Sequence, residues 1–394
     1  MSIKLYYTSP NIFEWKTKIT NKYEEKNRLI VTLEQTNFYP EGGGQPFDFG
    51  TIDGINIIEV FEKNNEVFHV LNEMPQQSEV TCKVEKNRRI EHSQHHTGQH
   101  LLSAVCLELF NIPTVSFHLG REVVTIDLDI PDLSEEKLFL IENRVNEYIY
   151  ENKNIHTYFA TKQQLSKIPL TKVPDISGDI RIVEIEGIDY SACCGTHVSQ
   201  TGEIGLLKIL KAEKHRGKTR VYFKCGLRAI KDYHEKHQIL TEITKKFSSP
   251  IDLVLQKIIK LESDQKLTEK KLENALSENA KLIASEILLS SKKGVIIESF
   301  EEKSIKEIQL IALELSKKTN TLIILVSLQE NKLVMIHNGL TDFHCGKWLN
   351  DHLKKFHGKG GGDANKAQAI FNHADDLNKF VKYTEEYING LTTV

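Results

Sequence analysis

Short apolar runs separated by turn residues dominate the first 88 residues of the chain. The run Leu29–Leu33 is rich in β-branched residues, which favours a strand. The pair Asp53-Gly54 lies between two such runs, and an Asp-Gly pair in this position is a strong signal for a tight hairpin. The pattern predicts a small N-terminal β domain over residues 1–88.

Between residues 89 and 226 the hydrophobic period switches repeatedly between that of a helix and that of a strand. The predicted elements are, in chain order, a helix over 91–110, a strand over 123–128, a helix over 134–151 and a strand over 180–185. Such a mixture predicts an α+β core.

A long helical pattern follows and predicts an arm over residues 227–292. It breaks at Ser248-Ser249-Pro250, because proline cannot continue a helix. Beyond the break, apolar residues with some polar interruptions recur at spacings of three and four: Ile251, Val254, Ile258, Leu261, Gln265, Thr268, Leu272, Ala275, Asn279 and Leu282. This heptad seam predicts a helical hairpin or a coiled coil, and the alternative is an amphipathic arm packed on its own domain.

The remaining residues, 293–394, predict a C-terminal α/β domain. Its expected strands cover 294–297, 321–326 and 332–336, and a helix is expected around 303–318. Near its end, Gly358–Gly362 has the sequence Gly-Lys-Gly-Gly-Gly and predicts a loop. Such a loop could hold phosphate through backbone N–H groups, or it could be a structural crossover.

The composition is typical of a protein with several domains. With 394 residues, of which 40% are hydrophobic, the chain can bury two or three cores. It begins without an apolar signal segment, and no apolar run approaches the roughly 18 residues that a membrane span needs. Six cysteines at irregular spacing favour a reducing compartment. We therefore expect a cytoplasmic protein without a membrane partner.

The charge is unevenly distributed. The net charge of −3 argues against a nucleic-acid partner, yet residues 204–231 contain nine lysines or arginines and one glutamate. Such a basic stretch predicts contacts with nucleic-acid phosphates, and solvated surface side chains are the alternative. The candidate contacts at its centre are Arg216, Lys218 and Arg220.

Two pairs of metal-ligand side chains carry the candidate chemistry: His96 with His100, and Cys193 with His197. Residues i and i+4 of a helix share one face, so the imidazoles of His96 and His100 can reach a single Zn²⁺. Cys193 and His197 would complete a set of one cysteine and three histidines. The spacing alone leaves the first pair ambiguous, because His92 and His96 are separated in the same way.

Four segments carry a family resemblance. Thr36–Pro46 (TNFYPEGGGQP) resembles the glycine-rich signature of the alanyl-tRNA synthetase editing domain and of its freestanding relatives, the AlaX-type trans-editing proteins. His96–Leu102 resembles the family's HTATHLL segment, and Asp189–Val198 resembles its CGGTHV segment. Gly358–Ala369 resembles the GKGGG…AQA segment of the synthetase's C-terminal domain, which is of the DHHA1 class.

The resemblance covers nearly the whole chain and implies its layout. The sequence before residue 36 has no room for the class II aminoacylation core, so the chain is similar to the long AlaX form, an editor without a ligase. The expected fold class is α+β, with a small N-terminal β domain (1–88), a zinc-containing α+β editing core (89–226), a long helical arm (227–292) and a C-terminal α/β domain of DHHA1 type (293–394).

The resemblance also selects the metal ligands. It favours His96 and His100 over His92, and it implies one Zn²⁺ per chain. Cys194 replaces the first glycine of the family's CGG and offers a second thiol. We favour Cys193, since only Cys193 keeps the three-residue gap to His197.

Further roles are implied by the same resemblance. Thr36 would bind the hydroxyl of a seryl group, and Gln45 would position water or the ester. The residues themselves predict a substrate contact at Gly42, Gly43 and Gly44, because three positions without a Cβ atom let a substrate approach the backbone N–H groups; a flexible turn is the alternative. The C-terminal domain would mediate a homodimer and contact tRNA through Lys359, Gly360, Gly361 and Gly362.

The implied reaction is hydrolysis of the ester that joins serine, with glycine as the second candidate, to tRNA(Ala). A synthetase pocket discriminates against one added hydroxyl or one missing methyl by only about 1–3 kcal/mol, so a second site is needed. Zinc could lower the pKa of a bound water to about 7. Because four protein ligands usually mark a closed structural site, we favour one exchangeable position.

Two alternatives stay open at this point. The first is a non-catalytic tRNA-binding protein with structural zinc. The second is a metal-dependent esterase or phosphoesterase of DHH type, and the lack of an Asp-His-His run argues against the phosphoesterase.

Overall fold

The computed structural model describes residues 1–120, 123–170, 178–291, 294–339 and 342–391. The chain forms two compact units, Met1–Glu242 and Ile243–Val394. The helices are α1 (Lys86–Phe110), α2 (Glu135–Glu151), α3 (Lys162–Leu165), α4 (Gly226–Phe247), α5 (Val254–Ser290), α6 (Ile305–Ser316), α7 (Cys345–His352) and α8 (Ala374–Leu391).

The strands alternate with these helices. In the first unit they are β1 (Ile3–Lys4), β2 (Glu14–Glu25), β3 (Arg28–Leu33), β4 (Gln35–Thr36), β5 (Gly50–Ile52), β6 (Ile55–Lys63), β7 (Glu66–Leu71), β8 (Glu79–Val84), β9 (Thr114–Leu119), β10 (Val124–Leu128), β11 (Ile155–Ala160), β12 (Ile180–Ile185), β13 (Asp189–Ala192), β14 (Leu207–His215) and β15 (Lys218–Cys225). In the second they are β16 (Ile296–Phe300), β17 (Ile323–Ser327), β18 (Lys332–Ile336), β19 (Gly358–Gly362) and β20 (Lys366–Phe371). The mixed α+β class is confirmed.

The N-terminal strands close into a barrel of order β2-β3-β7-β6-β5-β8. Closure leaves no sheet edge exposed, and the interior is filled by residues such as Val31, Ile52 and Val67. The predicted hairpin is confirmed, since Asp53 and Gly54 join β5 to β6 with φ of 54° and 80°. Two positive φ angles in a two-residue loop suit the right-handed twist of the strands.

After β8, the last barrel strand, the chain continues into α1. Helices α1 and α2 pack on the antiparallel sheet β14-β15-β10-β9. The apolar face of α1 contributes Leu101, Leu102 and Val105 to a core that it shares with α2 and with Phe223 of β15. Gly98 allows a close approach, because a Cβ atom there would lie 2.5 Å from the Cys225 sulfur. A smaller sheet, β11-β12-β13, completes the first unit.

The second unit is a five-stranded sheet of order β16-β17-β18-β20-β19. Only β16 and β17 are parallel. Alternate residues of β17 and β18 face opposite sides, so one face is covered by α6 with the end of α5, and the other by α7 and α8. The predicted strands at 294–297, 321–326 and 332–336 correspond to β16, β17 and β18.

The predicted helix break is confirmed, since α4 ends at Phe247 and α5 begins at Val254. Along most of α5 the seam faces solvent, with exposed fractions of 42% for Leu261 and 58% for Leu272. Ala280, Ala284 and Ile287 near its end are buried against α6. The predicted boundary between residues 292 and 293 lies outside the described residues. Across the described ranges, no helix is long and apolar enough to span a bilayer.

The glycine-rich segment Gly358–Gly362 is strand β19, so the prediction of a loop was wrong. A Cβ atom on Gly360 would lie 2.2 Å from the Gln368 carbonyl oxygen of β20, and one on Gly362 would lie 2.2 Å from the Lys366 carbonyl oxygen. On α7, a Cβ atom on Gly346 would lie 2.2 Å from the carbonyl oxygen of Gly362. The glycines therefore let strand, strand and helix pack closely.

Candidate metal centre

The four predicted ligands His96, His100, Cys193 and His197 converge, with their ligand atoms within 4.8 Å of one another. The Cys193 sulfur lies 3.4 Å from Nε2 of His96 and 3.3 Å from Nε2 of His197. Tetrahedral zinc with bonds of about 2.3 Å to sulfur and 2.0 Å to nitrogen separates such atoms by about 3.5 Å. The spacing therefore fits a tetrahedral transition metal.

Two separate parts of the fold supply the ligands. His96 and His100 lie one turn apart on α1, whereas Cys193 and His197 flank the turn that follows β13. Gly195 in that turn packs on the ring of His96, where a Cβ atom would lie only 2.1 Å from Cε1. Glycine is thus needed for the turn to bring Cys193 up to the helix.

Each imidazole is fixed by a hydrogen bond at its other nitrogen. The Nδ1–H group of His96 donates to Oε1 of Gln45 at 2.9 Å, and that of His100 donates to Oδ2 of Asp189 at 3.0 Å. His197 donates from Nδ1 to the Thr97 hydroxyl at 3.1 Å, and that hydroxyl donates to the carbonyl of Ser93. These bonds assign Nε2 of all three rings as the metal-facing nitrogen, the arrangement typical of histidine ligands.

The electrostatics favour the ligand form of the thiol. Burial disfavours a thiolate at Cys193, but His96 and His197 beside it outweigh burial and hold its pKa well below the usual range. Burial also opposes charge on His100, but the hydrogen bonds that its ring donates to Asp189 and Cys193 raise its pKa to about 10. Metal binding would therefore release a proton from His100.

His92, the alternative ligand, does not belong to the group. Its side chain is 3% exposed, and burial lowers its pKa to about 3. In the described residues no hydrogen-bond partner reaches its Nδ1 atom.

A cavity of about 520 Å³ opens beside the metal-ligand group. His96, His100 and Cys193 all contribute to its lining. A cavity of this size is typical of small-molecule sites. Three of the four ligands therefore face a space that a substrate can occupy.

The match to known families covers both units. Residues 180–222, which include Cys193 and His197, match the Threonyl and Alanyl tRNA synthetase second additional domain, and residues 292–390 match the DHHA1 domain. Alanyl-tRNA editing protein AlaX-L of Pyrococcus horikoshii is 31% identical over 388 residues, which is 93% of this chain and 93% of that protein. The chain belongs to the family of alanyl-tRNA editing proteins.

Another editing protein and an alanine–tRNA ligase are also similar to this chain. Alanyl-tRNA editing protein Aarsd1 of Bos taurus is 35% identical over 281 residues, covering 70% of this chain and 63% of that protein. An alanine–tRNA ligase of Methanobrevibacter smithii is 28% identical over 401 residues, covering 95% of this chain but 44% of the ligase. The predicted DHHA1 type of the C-terminal domain is confirmed.

The glycine-rich segment of this family member lies against the metal centre. Gly43 and Gly44 form a turn with φ of 56° and 82°, and Gly43 lines the cavity. Gly44 touches β9, since a Cβ atom there would lie 2.8 Å from the Phe117 carbonyl oxygen. Gly42 closes the turn by pairing with Gln45.

Gln45 lies behind His96 and not on the cavity wall. Besides holding His96, its Oε1 accepts from the Thr196 backbone N–H at 3.1 Å, and its Nε2 donates to the Thr196 hydroxyl at 3.0 Å. The Gln45 amide therefore uses its hydrogen bonds to hold His96 and the Cys193–His197 turn in place.

Thr36 is fully buried and is not part of the cavity lining. Its hydroxyl lies 2.9 Å from Nε2 of His69, and it accepts from the Phe38 backbone N–H at 3.2 Å. Since Nδ1 of His69 donates to the Val31 carbonyl, Nε2 is the acceptor for the Thr36 proton. The structure therefore does not bring Thr36 to the metal centre, and its predicted contact with serine stays a prediction.

Most of the basic stretch is paired with acidic side chains of the first unit, including its own Glu213. Arg220 donates two hydrogen bonds to Asp127 on β10, at 2.7 and 2.9 Å. The other basic residues with a carboxylate within 4.0 Å are Lys208, Lys211, Lys214, Lys224, Arg228 and Lys231. Within the described ranges, no carboxylate pairs with Arg216, which lies in the turn between β14 and β15, or with Lys218, which begins β15. Lys359 lies on β19 in the second unit.

Asp189 and Thr97 were missed as partners of the ligands. Asp189 opens the segment that resembles the family's CGGTHV motif, and Thr97 follows the first histidine, so both lay within the quoted motifs. Metal-bound histidines usually donate their other ring N–H to a nearby oxygen, so the carboxylate and hydroxyl residues within the motifs were candidates for this role.

Proposed function

We propose that this chain is a cytoplasmic trans-editing deacylase that hydrolyses Ser-tRNA(Ala), with Gly-tRNA(Ala) as its second substrate. It would hold one Zn²⁺ through His96, His100, Cys193 and His197, and it would act as a homodimer joined through its C-terminal region. The family names of its relatives support the tRNA(Ala) substrate.

One observation carries the catalytic proposal over a purely structural metal. His96, His100 and Cys193 line the 520 Å³ cavity, and Cys193 is only half-buried. Structural zinc sites are closed to substrate, whereas catalytic sites face a cleft. Zinc bound here would supply Lewis-acid chemistry to an ester in that cavity.

The chain's own groups would orient the ester. The Gly43 N–H group has no backbone acceptor in the part of the chain that the structure describes, and Gly43 lines the cavity. We assign it to a hydrogen bond with the substrate. Beside the same turn, the ring of Phe117 packs 5.1 Å from that of His96.

Tyr39 holds the glycine turn in place. Its hydroxyl donates to the Gly42 carbonyl at 3.1 Å, and it lines the cavity. Burial raises the pKa of Tyr39, so the hydroxyl keeps its proton at neutral pH. The turn can therefore present its N–H groups at a fixed position.

The test is single-turnover deacylation of tRNA(Ala) charged with serine, glycine or alanine. We expect rapid release of serine, release of glycine, and survival of Ala-tRNA, with about one zinc per chain by elemental analysis. His96→Ala/His100→Ala should lose zinc and hydrolysis but keep tRNA binding. His92→Ala, from outside the ligand group, should keep its zinc.

The competing function is a non-catalytic tRNA-binding protein with structural zinc. Zinc-loaded protein that binds charged tRNA and hydrolyses none of the three esters would establish it. A zinc content lost in His92→Ala and kept in His96→Ala/His100→Ala would overturn the ligand assignment.

A further inference from the structure

The cavity extends well beyond the metal ligands. Helix α1 lines it from His96 to Leu107, a span of roughly 16 Å at 1.5 Å per residue. An aminoacyl group spans only about 4 Å, the distance between successive Cα atoms. The cavity therefore has room for a second part of the substrate, beyond the group that is released.

Two polar side chains lie beside the ligands on α1: Gln99 lies between His96 and His100, and its amide reaches forward to Ser103. Ser103 lies one turn after His100, and its Oγ accepts from Nε2 of Gln99 at 2.9 Å and from the Thr114 hydroxyl at 2.7 Å. All three residues line the cavity. Unlike Thr97, which donates to the carbonyl four residues earlier, Ser103 makes no such bond to the helix backbone.

This arrangement leaves one donor and one acceptor unused. With both lone pairs of Ser103 Oγ occupied, its proton has no acceptor in the described part of the chain. Oε1 of Gln99 likewise has no donor there. A neighbouring donor and acceptor on a cavity wall suit two adjacent oxygens of a ligand, one that accepts and one hydroxyl that donates, as in a vicinal diol or its monoester.

Beyond the polar groups the lining becomes apolar. Ala104 and Leu107 lie on the next turn of α1, and Pro113 and Val115 lie across from them at the start of β9. Val115 is 49% exposed, which places this part at the mouth of the cavity. An apolar slot of this kind suits a flat ring.

We infer that the part of the cavity lined by Gln99, Ser103, Ala104, Leu107, Pro113, Thr114 and Val115 is a nucleoside site. The Ser103 hydroxyl would donate to the ribose oxygen that carries the ester, Oε1 of Gln99 would accept from the neighbouring free ribose hydroxyl, and the apolar residues would hold the base. The order along α1, from the metal ligands to Ser103 to the apolar slot, matches the order of ester, ribose and base at the end of a charged RNA. This inference rests on the proposed function, since it assigns the nucleoside of the same substrate.

A different role for the polar groups would be recognition of the seryl hydroxyl, and the amino acid on the tRNA separates the two. We expect Ser103→Ala and Gln99→Leu to lower kcat/KM by about tenfold for both Ser-tRNA and Gly-tRNA, because both carry the same ribose. Zinc content should not change, and Ser103→Thr should restore activity by restoring the hydroxyl. The matched control is Gln163→Leu/Ser166→Ala, on α3 and at its C-terminal end, outside the cavity lining. Loss confined to Ser-tRNA, or no loss, overturns the inference.

Binding of free nucleosides tests the site without the reaction. Full-length, zinc-loaded protein should bind adenosine about tenfold more tightly than 2′,3′-dideoxyadenosine in saturation-transfer NMR titrations. The double variant Ser103→Ala/Gln99→Leu should bind the two nucleosides alike. Equal binding by the unaltered protein, or no adenosine binding, overturns the inference. If adenosine binds as expected and no charged tRNA is hydrolysed, the proposed function fails and the nucleoside site stands.

Discussion

At the scale of single residues, the metal centre depends on side chains that do not touch the metal. Gln45, Asp189 and Thr97 each accept the Nδ1 proton of one histidine. They fix ring orientation and the protonated nitrogen, which raises the ligand strength of Nε2. Their loss should show first in metal affinity.

Gln45→Ala tests this point. We expect zinc affinity, measured by chelator competition, to fall about tenfold to a hundredfold. The exposed Gln76→Ala in the same unit is the control and should match the unaltered protein. Unchanged affinity with slower hydrolysis would instead place Gln45 on the substrate.

Thr36→Val separates two roles of a buried hydroxyl. Because the Thr36 hydroxyl donates to His69 and accepts from Phe38, its removal should lower the free energy of unfolding by about 1–3 kcal/mol. Urea unfolding measures this loss. A fall in the ratio of Ser-tRNA to Ala-tRNA hydrolysis without loss of stability would support the serine contact that the sequence resemblance implies.

At the scale of elements, glycines decide how closely strands and helices pack. A Cβ atom on Gly360 would lie 2.2 Å from the Gln368 carbonyl oxygen, whereas one on the adjacent Gly361 would have its nearest neighbour, Oδ1 of Asn350, at 3.8 Å. The two positions are therefore a matched pair within one strand.

We expect Gly360→Ala to destabilise the second unit by roughly 1–3 kcal/mol, because β19 and β20 must separate to admit the methyl group. Gly361→Ala should change stability little. Thermal unfolding of full-length protein compares them. An equal effect of the two substitutions would show that the close strand approach is not what requires glycine.

The exposed seam of α5 makes a further element-scale prediction. Its leucines Leu261 and Leu272 are 42% and 58% exposed in the single chain, and a second copy of the helix would bury them. Leu261→Glu/Leu272→Glu should shift the protein from dimer to monomer in light scattering after size-exclusion chromatography. The control is Leu267→Glu, because Leu267 is an exposed leucine outside the seam; this variant should remain dimeric. A monomeric unaltered protein would remove the predicted dimer.

At the scale of the whole molecule, buried neutral histidines tie stability to pH. Burial lowers the pKa of His69 and of His95 to about 4 and that of His92 to about 3. His95 must stay neutral, since its Nε2 accepts from the Cys225 backbone N–H. In the unfolded chain these groups titrate near 6.5.

Below about pH 6.5 the unfolded state therefore binds more protons, and stability falls as the pH drops toward 4. Each histidine contributes up to about 1.4 kcal/mol per pH unit. Urea unfolding of metal-stripped protein at pH 7.5 and 5.0 measures the effect apart from metal release. His95→Gln should flatten the pH dependence and the exposed His234→Gln should not. A constant free energy of unfolding would contradict the prediction.

Short-range patterns were sufficient for part of this architecture. The four-residue spacing of His96 and His100, together with the helical recurrence of apolar residues after them, predicted that both lie on one face of a helix. The apolar run 332–336 likewise predicted β18. Long-range pairing was not accessible in the same way. The charge of Arg220 suggested phosphate, but Asp127 on a neighbouring strand already binds it. The glycine run at 358–362 suggested a loop because its partner strand was unknown.

The position of the ligands in the chain has a mechanical consequence. His100 and Cys193 are far apart in the sequence, so an ion bound to both would close a loop of roughly a hundred residues. A covalent cross-link across such a loop removes unfolded-chain entropy worth about 4.7 kcal/mol. The ion would thus act as a staple between α1 and the β12–β13 hairpin, and stripping it should speed hydrogen exchange in both segments together.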